Sequence, residues 1–168
     1  MNSSKFQYVT YIRATPQHVW DALTLPEITP KYWMGVVHET DWQPGSPWKL
    51  KFADGRLADS GSVESFDAPR KLVLRWQHQM DPALTAEGVS RCEIQLEPMG
   101  DLTKLTKLSV THTMDVPESK FIAAVSFGWP MILSSLKSLL ETGVPLTIQM
   151  QPPQRMLAAL KRLGVATP

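Results

Sequence analysis

The chain has 168 residues, 43% of them hydrophobic and 20% charged, with a formal net charge of +1 at pH 7. Those values exclude a disordered or fibrous chain and point to one domain long enough to bury its own core. No basic block or stripe is present, which argues against nucleic acid as a partner, because phosphate binding leaves a concentrated Lys/Arg footprint. Cys92 is the single cysteine, so an internal disulfide and a thiolate metal cluster are both ruled out. The first residues lack the apolar segment of a signal peptide, and no apolar run approaches the ~18 residues of a membrane span. The expectation is a cytoplasmic protein without a membrane segment. Six tryptophans and eight methionines suit an irregular core or a lined cavity, and composition alone does not separate the two.

In chain order, residues 6–13 alternate and are rich in aromatic and β-branched types, which predicts a strand. Thr15-Pro16 supplies a hydroxyl N-cap and a proline at the first helical position, with Val19, Trp20 and Leu23 as the buried stripe of a short helix. Pro26 and Pro30 bracket a second short helical segment ending at Tyr32-Trp33. From Gly35 to Thr113 the period becomes two. A strand is predicted over Val36–Trp42. In the next, Trp48, Leu50 and Phe52 face inward, against Lys49 and Lys51. Asp54-Gly55 is a hairpin turn. The following strand runs from Leu57 to Phe66, with Gly61 read as a bulge or bend. After the turn at Asp67-Ala68-Pro69-Arg70, Leu72, Leu74, Trp76 and His78 share one face of a strand. Residues 80–88 read as a loop. Cys92, Ile94 and Leu96 face inward on one further strand, as do Leu108, Val110 and His112 on the last.

Strands joined by short turns imply an antiparallel meander with one solvated face. The C-terminal helix is predicted from Pro130 as its start to Gly143 as its stop, about four turns. Trp129, Ile132, Leu133, Leu136, Leu139 and Leu140 form its apolar stripe, and Ser134, Ser135, Lys137, Ser138 and Glu141 its polar side. The inner face of the sheet is the large apolar surface such a helix needs. After Pro152-Pro153, Met156, Leu157, Leu160 and Leu163 could share a face of a short helix. The organisation is a domain over 1–143 and an extension over 144–168.

The order of these elements resembles the helix-grip, or START-like (SRPBCC), superfamily, an α+β fold in which a curved antiparallel sheet wraps a long C-terminal helix. Ala14-Thr15-Pro16 with Val19-Trp20-Ala22-Leu23 is similar to that superfamily's opening. Gly61-Ser62-Val63, Pro69-Arg70-Lys71-Leu72-Val73 and Trp76 resemble its middle strands. Leu108-Ser109-Val110-Thr111-His112 resembles its late strand, and Gly128-Trp129 through Leu139-Leu140-Glu141-Thr142-Gly143 its closing helix. Together, over residues 6–143, they resemble the bacterial homologues of the activator of heat-shock protein 90 ATPase. The resemblance implies a cavity between sheet and helix suited to an apolar ligand, lipids included. It also brings two alternatives: a cyclase- or hydrolase-type enzyme, and an accessory protein acting on a chaperone or other partner.

The expected function is non-catalytic binding of a small apolar or amphipathic molecule by a monomer or weak homodimer. Candidate cavity residues are Trp33, Trp48, Phe52, Trp76, His78, Val110, His112, Met114, Trp129 and Leu133. Trp129 stands out among them because it lies where helix and sheet diverge. No catalytic residue, cofactor or metal site is assigned. His78 and His112 continue apolar faces and could move a proton near neutral pH. The commoner role is a hydrogen-bonded residue at a strand end, and the sequence identifies no orienting carboxylate. No metal-binding histidine spacing is present. Glu39, Asp59 and Glu64 read as solvent-facing, Ser134-Ser135 has no triad context, and Cys92 reads as a buried, inert thiol.

Overall fold

The computed structural model describes residues 3–101, 104–148 and 162. The predicted tail helix carrying Met156, Leu157, Leu160 and Leu163 lies outside the described residues. Thr15 accepts a hydrogen bond from the His18 amide and Pro16 opens the first helix, as a hydroxyl cap followed by proline dictates. The elements are β1 (Ser4–Ile12), α1 (Pro16–Thr24), α2 (Thr29–Tyr32), β2 (Val37–Glu39), β3 (Pro47–Lys51) and β4 (Leu57–Asp67), then β5 (Lys71–His78), α3 (Pro82–Thr85), β6 (Ser90–Pro98), β7 (Thr106–Met114) and α4 (Lys120–Thr142). The strands form one antiparallel sheet in the order β1-β7-β6-β5-β4-β3-β2. This is an α+β helix-grip architecture: the inner face of the sheet and the apolar stripe of α4 close on one core.

The structure corrects several local readings. β2 is shorter than predicted, and Trp42 beyond it has a left-handed φ of 53°, which ends extended backbone. Phe52 falls outside β3, in the hairpin where its amide donates to the Arg56 carbonyl. Gly61 is not a bulge; the register shifts fall between Leu50 and Lys51 and between Val63 and Ser65. Glycine is needed at 61 for space, since a Cβ there would sit 1.8 Å from the Arg75 carbonyl oxygen on β5. The predicted loop over 80–88 contains the one-turn α3, capped by the Asp81 side chain.

The largest correction concerns α4. It starts at Lys120 and runs 23 residues, with Pro130 in its interior. Its true cap is Ser119, whose hydroxyl accepts from the Ile122 amide. Glu87 reinforces that end, accepting from the Ser119 hydroxyl and from the Lys120 and Phe121 amides. Burial raises the Glu87 pKa, but these hydrogen bonds outweigh it and the net shift is downward. At this true length α4 is apolar enough, by length and composition, to cross a membrane. Phe121, Ile122, Trp129, Ile132, Leu133 and Leu136 are nonetheless buried in the core beneath the sheet. At its far end, the Lys137 ammonium donates to the Tyr11 carbonyl and Glu141 accepts from the Arg13 amide, fastening α4 to β1. Ser135, assigned to the polar side, is fully buried. Its hydroxyl donates to the Leu146 carbonyl and accepts from the Leu146 amide.

Candidate ligand cavity between the sheet and the long helix

Three indoles from three different elements meet under α4. Trp33 follows α2, Trp76 comes from β5 and Trp129 from α4. Their ring centroids are 5.2–6.2 Å apart, a spacing typical of packed aromatic pairs. Beside them lies a cavity of about 370 Å³. Leu50, Phe52, Met34 and Val36 form one side. Phe121, Val125, Gly128 and Ile132 of α4 form another, with Leu84 of α3 and Met80 near the opening. Met80 and Ala124 are exposed, so the cavity meets solvent where α3 and the first turns of α4 approach each other. The Glu87 hydrogen bonds to the start of α4 brace that rim.

Of the candidate residues, Trp33, Phe52, Trp76, His78 and Trp129 line the cavity. Trp48, Val110, His112, Met114 and Leu133 are not in its wall; all five are buried in the core. Trp48 packs against Trp76 in a tilted arrangement, with centroids 4.6 Å apart, and its Nε1 donates to His38 Nδ1. The Met114 sulfur lies 3.4 Å from the Ser119 hydroxyl oxygen.

The two candidate histidines have different environments. His112 is fully buried. Indole nitrogen is a donor only, so Trp129 Nε1 donates to His112 Nδ1 at 3.3 Å. The imidazole proton therefore sits on Nε2 and is donated to Ser90 Oγ at 2.8 Å, whose own proton goes to the Trp76 carbonyl. Burial lowers the His112 pKa to about 3, and a second ring proton would face the Trp129 donor. This neutral, saturated chain links α4, β7, β6 and β5. His38 is similar: its Nδ1 accepts from Trp48, and burial lowers its pKa to about 3. Among the described residues, His38 Nε2 and Trp76 Nε1 are the buried side-chain polar atoms without a partner. Both sit among aromatic rings.

His78, in contrast, lines the cavity beside Asp59. The two are register partners on β5 and β4, so their side chains leave the same face. His78 Nδ1 lies 3.0 Å from Asp59 Oδ1. Asp59, expected on the solvent face, is 8% exposed and points inward. The signal was in the sequence: Asp59 has the same parity as inward-facing Val63, and the bulge lies beyond Val63. Glu39 and Glu64 do pair with cations at the surface. Burial pushes the Cys92 thiol far up, so it is no nucleophile. Among the described residues no cluster of His, Cys, Asp or Glu could hold a metal ion.

Residues 13–141 match the model of the family described as Activator of Hsp90 ATPase homolog 1-like protein. No curated protein matches the chain significantly by sequence. Among solved structures, protein MLL2253 from Mesorhizobium loti is similar with a TM-score of 0.68 and 21% identity, over 82% of this chain and 97% of that one. CalU16 from Micromonospora echinospora gives 0.68 and 19%, over 95% and 83%. The Aha1 dimer from Colwellia psychrerythraea gives 0.64 and 22%, over 83% and 98%. At these identities the likeness shows the shared fold and nothing finer.

Proposed function

This chain belongs to the Activator of Hsp90 ATPase homolog 1-like protein family, and from that premise we propose that it binds a small apolar or amphipathic molecule, without catalysis, in the cavity between the sheet and α4. The cavity carries this reading. Its volume of about 370 Å³ falls in the range of small-molecule sites, which are mostly apolar with a few placed polar groups. Gly128 in its wall adds to this reading. Glycine inside a helix costs about 1 kcal/mol relative to alanine. Gly128 is buried in α4, and a Cβ there would meet nothing within 4 Å. Packing does not require glycine at this position, whereas an open cavity benefits from it. The unit we assign to binding is 1–143, with 144–168 as an extension, working in the cytoplasm as a monomer or weak homodimer.

The test is calorimetric titration with 2-methylnaphthalene. Saturable binding of one molecule per chain, with the negative heat-capacity change of apolar burial, is expected. Heats indistinguishable from dilution at probe saturation would refute the reading. A second reading, a cyclase- or hydrolase-type enzyme, rests on one observation: the Asp59–His78 pair in the cavity wall. His112 is unsuited to proton transfer because both ring nitrogens are engaged inside the core.

A further inference from the structure

Asp59 and His78 are the titratable side chains in the wall of an otherwise apolar cavity. Their side chains are 12% and 20% exposed. The one side-chain hydrogen bond that either makes among the described residues is the bond between them. His78 Nε2 and Asp59 Oδ2 are not among the sealed, unpartnered atoms, and His78 stands 5.9 Å from Phe121 at the rim. A carboxylate can only accept, so Asp59 fixes the imidazole proton on Nδ1. In its neutral form the ring then presents Nε2 as a lone-pair acceptor. A group held this way selects by hydrogen-bond sense: it takes a donor and leaves an acceptor-only oxygen unpaired, which is costly in an apolar site.

We propose that the Asp59–His78 pair is a hydroxyl-recognition site, and that the ligand is an apolar molecule bearing a phenol-, enol- or alcohol-type hydroxyl that it donates to His78 Nε2. The apolar body lies toward Trp33, Trp76 and Trp129, and the hydroxyl end toward the rim. This deepens the binding reading above and rests on it.

The experiment compares shape-matched naphthalenes on the intact protein by calorimetry. 2-Naphthol is set against 2-methylnaphthalene, where OH replaces CH3. 2-Acetylnaphthalene is set against 2-isopropenylnaphthalene, where a carbonyl oxygen replaces CH2. The wild type is expected to bind 2-naphthol about tenfold more tightly than 2-methylnaphthalene, the ratio one net hydrogen bond supplies, and to gain nothing from the ketone. In Asp59→Asn the side-chain amide can donate to Nδ1, which moves the ring proton to Nε2. The hydroxyl preference should then shrink toward unity and a ketone preference appear. Equal binding of all four probes to the wild type would overturn the proposal while leaving the apolar cavity intact. A wild-type preference for the ketone would overturn it as well, by placing a donor on Nε2. Failure of all four to bind would remove the cavity reading and this proposal with it. The wild-type comparison stands even if Asp59→Asn does not fold.

Discussion

The core and rim of this domain each hold a histidine on an inward-facing strand position, and the two are arranged in opposite ways. At the core, His112 has both ring nitrogens engaged, one by Trp129 and one by Ser90, and the chain ends on the Trp76 carbonyl. At the rim, His78 has one nitrogen held by Asp59 and the other without a side-chain partner among the described residues. A saturated buried network rigidifies the fold and has nothing left to offer a ligand. A half-engaged pair beside a cavity has a hydrogen bond to give. Partner arrangement, not residue type, separates a structural histidine from a recognition histidine.

The most disruptive way to break this comparison is Gly61→Ala. Its Cβ would strike the Arg75–Trp76 peptide of β5, displacing the strand that carries both Trp76 and His78. We expect a loss of about 3 kcal/mol or more by denaturant unfolding. Next is the contrast between the histidines themselves. His112→Phe leaves the Trp129 donor and Ser90 without their partner and should cost about 3 kcal/mol. His78→Phe, at the partly exposed rim, should cost about 1 kcal/mol or less. Equal costs would contradict the distinction.

A pH series sharpens the same point. His112 and His38 have folded pKa values near 3 against an ordinary 6.5, so below pH 6.5 the unfolded chain takes up these protons first. Stability from this source is complete above pH 6.5 and is lost as pH falls toward 3, by about 1.4 kcal/mol per pH unit for each histidine. Between pH 6.5 and 5.5, above the range in which most carboxylates titrate, His112→Phe should reduce this slope by one histidine's share. Gly128→Ala should act in the opposite sense, a stabilisation of about 1 kcal/mol measured by thermal unfolding, since helix propensity improves and nothing clashes.

Much of the fold was legible because alternation and helical periodicity agreed along the chain. The meander, the Thr15-Pro16 start and the Gly143 stop all follow from local chemistry, and Gly143 adopts the expected left-handed conformation. The start of α4 was misread because Pro130 is a strong local signal. The cap at Ser119 relies on Glu87, which is distant in sequence and invisible to periodicity. The cavity was less legible. Trp48 and Trp76 sit on equivalent inward positions, yet only Trp76 reaches the wall, and three-dimensional layering decides that. The alternation read around Asp59 put it on the solvent face, although its parity with Val63 places it inside. Its pairing with His78 follows from the β4–β5 register, which the pattern within either strand alone does not display.

The most direct test of the central claim, that the space under α4 exists to hold a molecule, is calorimetric binding of 2-methylnaphthalene to wild type and to Gly128→Leu, with folding of both verified by thermal unfolding. The account predicts a folded variant whose side chain occupies the cavity and whose affinity falls at least about tenfold, as expected when a ligand-sized void is filled. Unchanged affinity in a folded Gly128→Leu protein would contradict it.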